Sequence, residues 1–231
     1  MLLALDNFEH LIESGDIISL ILERAPHISL LITSRAVLNL HQEWVWPVRG
    51  IGFPPAVDTP DAVQYAAIRM FDARAKRINP AFSLQQELPA VTRICALVEG
   101  NPLAIELATV WLRSLTCHDI LNELRQDIDI LSTSMRDIPE QHRSIRAVFD
   151  RSWQQLTTAE QQTLMQLSLF HGSFSWDAAR SIAQISLNML SALIDKSLLY
   201  HNQHGRYTFH ELFRQYVHNH LIADAETFSG L

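Results

Sequence analysis

Glu99-Gly100-Asn101-Pro102-Leu103-Ala104-Ile105-Glu106-Leu107-Ala108 is the stretch from which the rest of the chain can be placed. A glycine that tolerates positive φ ends one helix, and a proline whose fixed φ suits a first turn starts the next. The string therefore reads as a joint between two helices. On its N-terminal side Leu84, Leu88, Val91, Ile94, Cys95 and Val98 recur at helical spacing behind Ser83 and Gln86, a pairing that resembles a capping box. On its C-terminal side Leu103, Leu107, Val110 and Trp111 continue the pattern, and Thr116 opens a further helix with Ile120, Leu121, Leu124, Ile128 and Leu131 inward. Ahead of both, Thr59-Pro60 reads as an N-cap and first-turn proline for a helix whose apolar face is Val63, Ala66, Ala67, Met70 and Phe71. Four short helices with short connections predict a bundle over residues 59–133.

Further toward the N-terminus the period changes. Leu2-Leu-Ala-Leu5 stops abruptly at Asp6, and Ile28-Ser-Leu-Leu-Ile32 stops as abruptly at Thr33-Ser34-Arg35. Both read as buried parallel strands, and Leu11, Ile17, Ile18, Ile21 and Leu22 between them have helical spacing. Strand, helix, strand is the βαβ order of an α/β sheet, whose ligands sit beyond the strand C-termini, so Asp6 and Arg35 fall on one rim. Trp44-Val-Trp-Pro-Val48 reads as a third strand, at an edge or ending at Pro47. This α/β part occupies residues 1–58, up to a Gly- and Pro-rich loop.

Toward the C-terminus a polar link over 132–140 leads to a third set of signals. A helix is expected over 142–156, then Thr157 with Glu160 forms a capping box, and Ser175 and Ser186 cap two further helices. Leu198-Leu-Tyr200 and Arg206-Tyr-Thr-Phe209 flank His201-Asn-Gln-His-Gly205 as a β-hairpin, and a last helix runs from His210 to about Leu221. Helices followed by a hairpin predict a winged helix over 140–222. The fold class is thus α/β followed by all-α: a partial parallel sheet, a four-helix bundle and a winged-helix domain.

Composition limits what such a chain does. Its 231 residues are 48% hydrophobic and 19% charged, which excludes intrinsic disorder. A net charge of −7 argues against a general polyanion binder, since such affinity is built from Lys and Arg. Cys95 and Cys117 lack a paired spacing and read as buried small hydrophobes in a reducing cytosol. No apolar run approaches the length that crosses a bilayer, and no targeting signal precedes Asp6, so a cytoplasmic location is expected.

These segments together resemble the NB-ARC or STAND class of signal-transduction ATPases, in its bacterial regulator branch, over nearly the whole chain. Leu2-Leu-Ala-Leu-Asp6-Asn7-Phe-Glu9-His10 resembles the Walker B strand, which implies that Asp6 is the catalytic acid and the Mg²⁺ ligand; a hard cation prefers such oxygen donors. The second acidic position is Asn7 here, with Glu9 as the substitute. Leu30-Leu-Ile-Thr33-Ser34-Arg35 resembles the sensor strand, whose arginine reaches the γ-phosphate of ATP through a planar fork of donors. Glu99 to Ala108 matches the glycine-x-proline motif, which implies that Pro102 packs on adenine and Gly100 permits the close approach. Tyr207-Thr-Phe209-His210-Glu211-Leu212 resembles the motif whose histidine contacts the β-phosphate of ADP, with Phe209 and Glu211 in place of the usual Met and Asp. The bland readings are a helix-capping Asp6, a solvated Arg35, an ordinary helix joint at Gly100 and a capping His210. His201, His204, His218 and His220 lack a metal-binding spacing and read as surface residues.

A phosphate loop, G-x-x-x-x-G-K-S/T, is absent, because neither Lys76 nor Lys196 follows suitable glycines. The resemblance implies that an NTPase segment carrying this loop precedes Leu2 and that repeat sensor and effector domains accompany the module. It also implies an ATP/ADP switch with Mg²⁺, with hydrolysis reserved for the complete module and tight nucleotide binding not expected here. Asp6, Arg35, Pro102 and His210 are expected to converge on one cleft. The alternative is a DNA-binding winged helix without nucleotide. Its recognition helix, 186–196, is apolar with one base, and residues 142–222 hold seven Lys or Arg against five Asp or Glu, so DNA binding is not expected. No nucleophile, base and oxyanion arrangement supports a hydrolase.

Overall fold

The computed structural model describes every residue except 135–138, 140–141, 203 and 230–231, with backbone alone over 225–229. Much of the expected link at 132–140, the first two residues of the expected 140–222 unit and Gln203 in the hairpin turn lie outside the described residues.

The N-terminal part is a βαβ unit. Strand β1 (Leu2–Leu5) pairs in parallel with β2 (Ser29–Ile32), in the register Leu2 to Ser29 and Leu5 to Ile32, and α1 (Gly15–Arg24) connects them after two 3-10 turns. One face of each strand is half-buried, while Leu2 and Leu31 on the other are 66% and 58% exposed. Phe8 and Ile18 are the buried apolar side chains this unit contributes. The expected third strand is not formed: residues 44–48 carry no ladder, and Trp44 and Trp46 are 97% and 87% exposed. Apolar alternation favours a strand only where a neighbouring strand supplies hydrogen bonds, and Pro47 removes one donor.

Helices α2 (Ala66–Ile78), α3 (Leu84–Leu97), α4 (Pro102–Val110) and α5 (Cys117–Gln126) follow. Thr59 does not start α2. Its hydroxyl donates to Ala56 O at 2.7 Å in a local turn, and a 3-10 turn at Ala62–Gln64 intervenes. The inward face of α2 is accordingly Ala67, Ile68, Phe71 and Ala75, with Val63 and Ala66 outward. Ser83 caps α3 through its backbone, without the side-chain bonds of a capping box. Thr116 does form one with Asp119, and its hydrogen bonds hold the exposed Asp119 carboxyl below its ordinary pKa.

Helices α6 (Ile145–Gln154), α7 (Thr158–Leu167), α8 (Trp176–Ala183), α9 (Leu187–Asp195) and α10 (Glu211–Ser229) complete the chain, with the antiparallel pair β3 (Tyr200–His201) and β4 (Tyr207–Thr208) between α9 and α10. Thr157 and Glu160 form the expected capping box, and Ser175 and Ser186 cap α8 and α9. Phe174 bridges Tyr207 as a third short strand partner.

The hydrophobic core runs unbroken from Ala67 through Leu131 and Ile145 to Val217, so the central and C-terminal helices share one interior. At roughly 1.5–3 kcal/mol for each fully buried large side chain, that interior far outweighs the two anchors of the βαβ unit. Cys95 and Cys117 lie within it, and burial pushes each thiol up to about 12, leaving inert neutral side chains. No described helix is long and apolar enough to cross a membrane.

Candidate functional site

The rim of the βαβ unit is organised by Thr33. Its hydroxyl donates to Asp6 Oδ1 and accepts from Asn7 N–H at 3.1 Å, while its carbonyl accepts from Phe8 N–H at 2.9 Å. These contacts turn the chain sharply after β1, with Asn7 in the left-handed region at φ 57°. Asp6 is left exposed, with one carboxylate oxygen engaged.

Arg35 points toward the C-terminal helices. Its Nη1 donates to Val148 O at 3.2 Å and to Ser152 Oγ at 3.0 Å on α6, and its Nε lies 3.5 Å from Oε1 of the buried Glu9. Arg35 borders a cleft of about 370 Å³ shared with Glu9, Glu13, Ser152, Lys196 and Leu198. Lys196 donates to both oxygens of Glu160, at 2.7 and 2.8 Å. Burial opposes the Glu160 charge, but these bonds and those from Thr157 outweigh it and hold the carboxyl below its ordinary pKa. Every cation of the cleft thus already has an anionic partner. The cleft lining includes neither Asp6 nor Gly100, Pro102 or His210.

Gly100 and Pro102 lie elsewhere, at the α3–α4 joint, where His210 reaches the adjoining Glu99. Glu99 and Gly100 are both left-handed, at φ 48° and 65°, and Asn101 Oδ1 accepts from Ala104 N–H at 3.0 Å to start α4. The segment after Arg49 crosses the joint at backbone contact. Ile51 N–H donates to Gly100 O at 2.9 Å, a Cβ on Gly100 would overlap Ile51 O, and one on Gly50 would overlap Glu99 O. Glycine is required at both positions for this approach. From the other side comes α10, whose first N–H, on Glu211, donates to Glu99 Oε1 at 2.9 Å, while His210 Nε2 lies 3.9 Å from Glu99 Oε2.

Burial holds the His210 imidazole below its ordinary pKa, against the pull of Glu99, Glu211 and the Val98 carbonyl, so the ring is neutral near pH 7. Its buried Nδ1 has no partner in hydrogen-bonding geometry. A neutral ring can donate or accept at such a nitrogen, and here that atom is covered by its neighbours. Among the described residues no group of three or more His, Cys, Asp and Glu is arranged to hold a metal ion.

The sequence reading assigns no site role to Glu99, Thr33, Ser152 or the Glu160–Lys196 pair. Each acts across a large separation along the chain, such as 112 residues between Glu99 and Glu211, so no local spacing marks it. Only Glu160 carried a signal, its capping box.

No protein-family profile matches the chain. It is 31% identical over 229 residues to proteins of Mycobacterium bovis and Mycobacterium tuberculosis provisionally described as HTH-type transcriptional regulators, covering 94% of this chain and 25% of theirs. It is 28% identical to an uncharacterized protein of Mycobacterium tuberculosis, over 98% of this chain and 58% of that one. The chain therefore spans about a quarter of the length of the first of these relatives. Among solved structures it aligns with a signal-transduction ATPase with a tetratricopeptide repeat sensor from Pyrococcus horikoshii, at 17% identity, over 94% of this chain and 27% of that one, with a TM-score of 0.31.

Proposed function

We propose that the chain is the part of a signal-transduction ATPase switch that reads which nucleotide is bound, and that the α3–α4 joint is its contact with the ligand. The observation that carries this is the meeting of two motifs far apart in sequence: the Gly100-Asn101-Pro102 joint, and His210 with its covered, unpartnered Nδ1. Similarity to proteins described as transcriptional regulators agrees with a regulatory role.

The residues fit a nucleoside diphosphate in part. Pro102 at the start of α4 offers an apolar surface for a base, and Gly100 keeps the backbone low beside it. The buried Nδ1 of His210 would have to be uncovered to meet a phosphate, and the second oxygen of Asp6 is open to a hydrated Mg²⁺. Arg35 would have to leave Ser152 and Val148 to reach a phosphate. The cradle of backbone amides and lysine is not in this sequence, so a segment carrying it is a proposed partner, as are sensor and effector domains. Binding by this chain alone is therefore weak.

A titration with ADP and Mg²⁺ followed by NMR tests the reading. It predicts a dissociation constant of about 100 μM or weaker, with shifts concentrated at Gly100, Asn101 and the His210 ring, and loss of those shifts in His210→Ala. Shifts confined to other surfaces would overturn it.

The DNA-binding alternative has less support. Helix α9 is apolar, its Asp195 carbonyl accepts from Val37 N–H at 2.9 Å, and its flanking Lys196 is engaged by Glu160. Steeply salt-dependent affinity for duplex DNA would favour it instead.

A further inference from the structure

The cleft between the βαβ unit and the C-terminal helices lies apart from the α3–α4 joint, and its charges are unevenly satisfied. The Glu9 side chain on its wall is 5% exposed, and among the described residues its carboxylate has one partner, Arg35 Nε at 3.5 Å. An ionised carboxylate offers about four acceptor sites, and a buried one is costly unless donors fill them. The neighbouring cations are committed elsewhere: Lys196 donates to both oxygens of Glu160, and Arg35 Nη1 to Val148 O and Ser152 Oγ. Glu13, exposed on the same cleft, has no partner among the described residues. Two helices also end here, since Gln155 and Lys196, the C-caps of α6 and α9, both line the space. A helix C-terminus carries partial negative charge. Lys196 meets it at α9, whereas the cap of α6 is a neutral glutamine.

We propose that this cleft binds a small organic cation, an aliphatic amine or guanidine, whose charged end donates to Glu9 and Glu13 and whose carbon chain lies on Ile12, Leu156 and Leu198. Open acceptors beside engaged donors select a cation over an anion, because an anion would have to draw Arg35 or Lys196 away from existing partners. A bare metal ion is not what the lining suits, since among the described residues no three His, Cys, Asp or Glu are arranged to hold one. An ammonium or guanidinium needs no such cage: it brings several N–H donors and uses the carboxylates singly. The volume of about 370 Å³ falls in the range of roughly 300–1,000 Å³ usual for small-molecule sites. The three apolar side chains give the chain of such a ligand a surface to cover. The site stands independently of the nucleotide reading, because neither Gly100, Pro102 nor His210 borders it.

NMR titration of the isotope-labelled chain with agmatine tests the proposal, with butanol as the neutral probe and glutarate as the anionic one. Saturable shifts at the amides of Glu13, Gln155 and Leu198 are expected with agmatine and with neither of the others. Glu9→Gln, which keeps the shape and removes the charge, should weaken the apparent affinity at least about tenfold. Glu13→Gln, at an exposed position, should weaken it about two- to fivefold and carries the test by itself if Glu9→Gln does not fold. Glu123→Gln, an exposed acid on α5, should match the parent. The ADP titration reads Gly100 and His210 instead, so either proposal can fail while the other stands. Agmatine shifts that do not saturate, that fall on other surfaces or that persist unchanged in these Glu9 and Glu13 variants would overturn the cation site, as would saturable binding of glutarate in place of agmatine.

Discussion

Gly100→Ala places a methyl group against Ile51 O at a backbone of φ 65°. The clash is with main chain on both sides, and the left-handed conformation adds its own penalty, so the variant should lose about 2–4 kcal/mol, read from the urea midpoint at constant m-value. Lys196→Ala leaves the Glu160 carboxylate, 7% exposed, without its cation and should cost about 1–3 kcal/mol. Glu160→Gln in the same chain should restore part of that loss. His210, His218 and His220 are all held below the ordinary histidine pKa, in each case first by burial. The unfolded chain therefore takes up these protons first. Stability is fully present above the ordinary histidine pKa of 6.5 and falls as pH drops below it toward the folded-state values. His210→Asn, read by thermal melting at pH 7.5 and 5.5, should flatten part of that slope; a slope unchanged by it would place the titration elsewhere. The residues named from sequence at the joint were legible because glycine and proline announce their own geometry. Glu99 was not, since its partner lies on α10 and nothing local distinguishes it from a solvated acid.

Elements whose signals are local emerged as read. The helix start at Thr116, the capping box at Thr157, the Ser175 and Ser186 caps and the parallel pairing of β1 with β2 each depend on a few neighbouring residues or a simple period. Thr157→Ala should cost about 1 kcal/mol and raise amide exchange in the first turn of α7. The elements that departed from the reading are those decided at a distance. Thr59 met Ala56 before it could cap a helix, and that moved the inward face of α2. Residues 44–48 alternate well but lie outside any ladder. Trp44→Ser and Trp46→Ser should accordingly change stability by less than about 0.5 kcal/mol each, because these rings contribute almost no burial. A loss of several kcal/mol would mean that the two rings pack in solution.

At the scale of the molecule, a small βαβ unit, four central helices and five C-terminal helices with a hairpin are drawn together by one core and a few polar contacts. The core joins the central and C-terminal helices, whereas Arg35 and Val37 tie the βαβ unit to them through hydrogen bonds. A small parallel sheet followed by helices could be read from periodicity, but the relation between parts could not. Asp6 and Arg35 share the rim as expected from strand ends, yet Arg35 turns to α6 while Gly100 and Pro102 lie at the joint, where His210 reaches Glu99. The proposed switch would read its nucleotide at that joint. Photoaffinity labelling with 8-azido-ADP in Mg²⁺, followed by peptide mapping, tests it most directly. Label on the peptides carrying Gly100–Leu103 and His210, reduced by excess ADP, is the predicted result; label that excess ADP does not compete, or that maps only to other peptides, would contradict it.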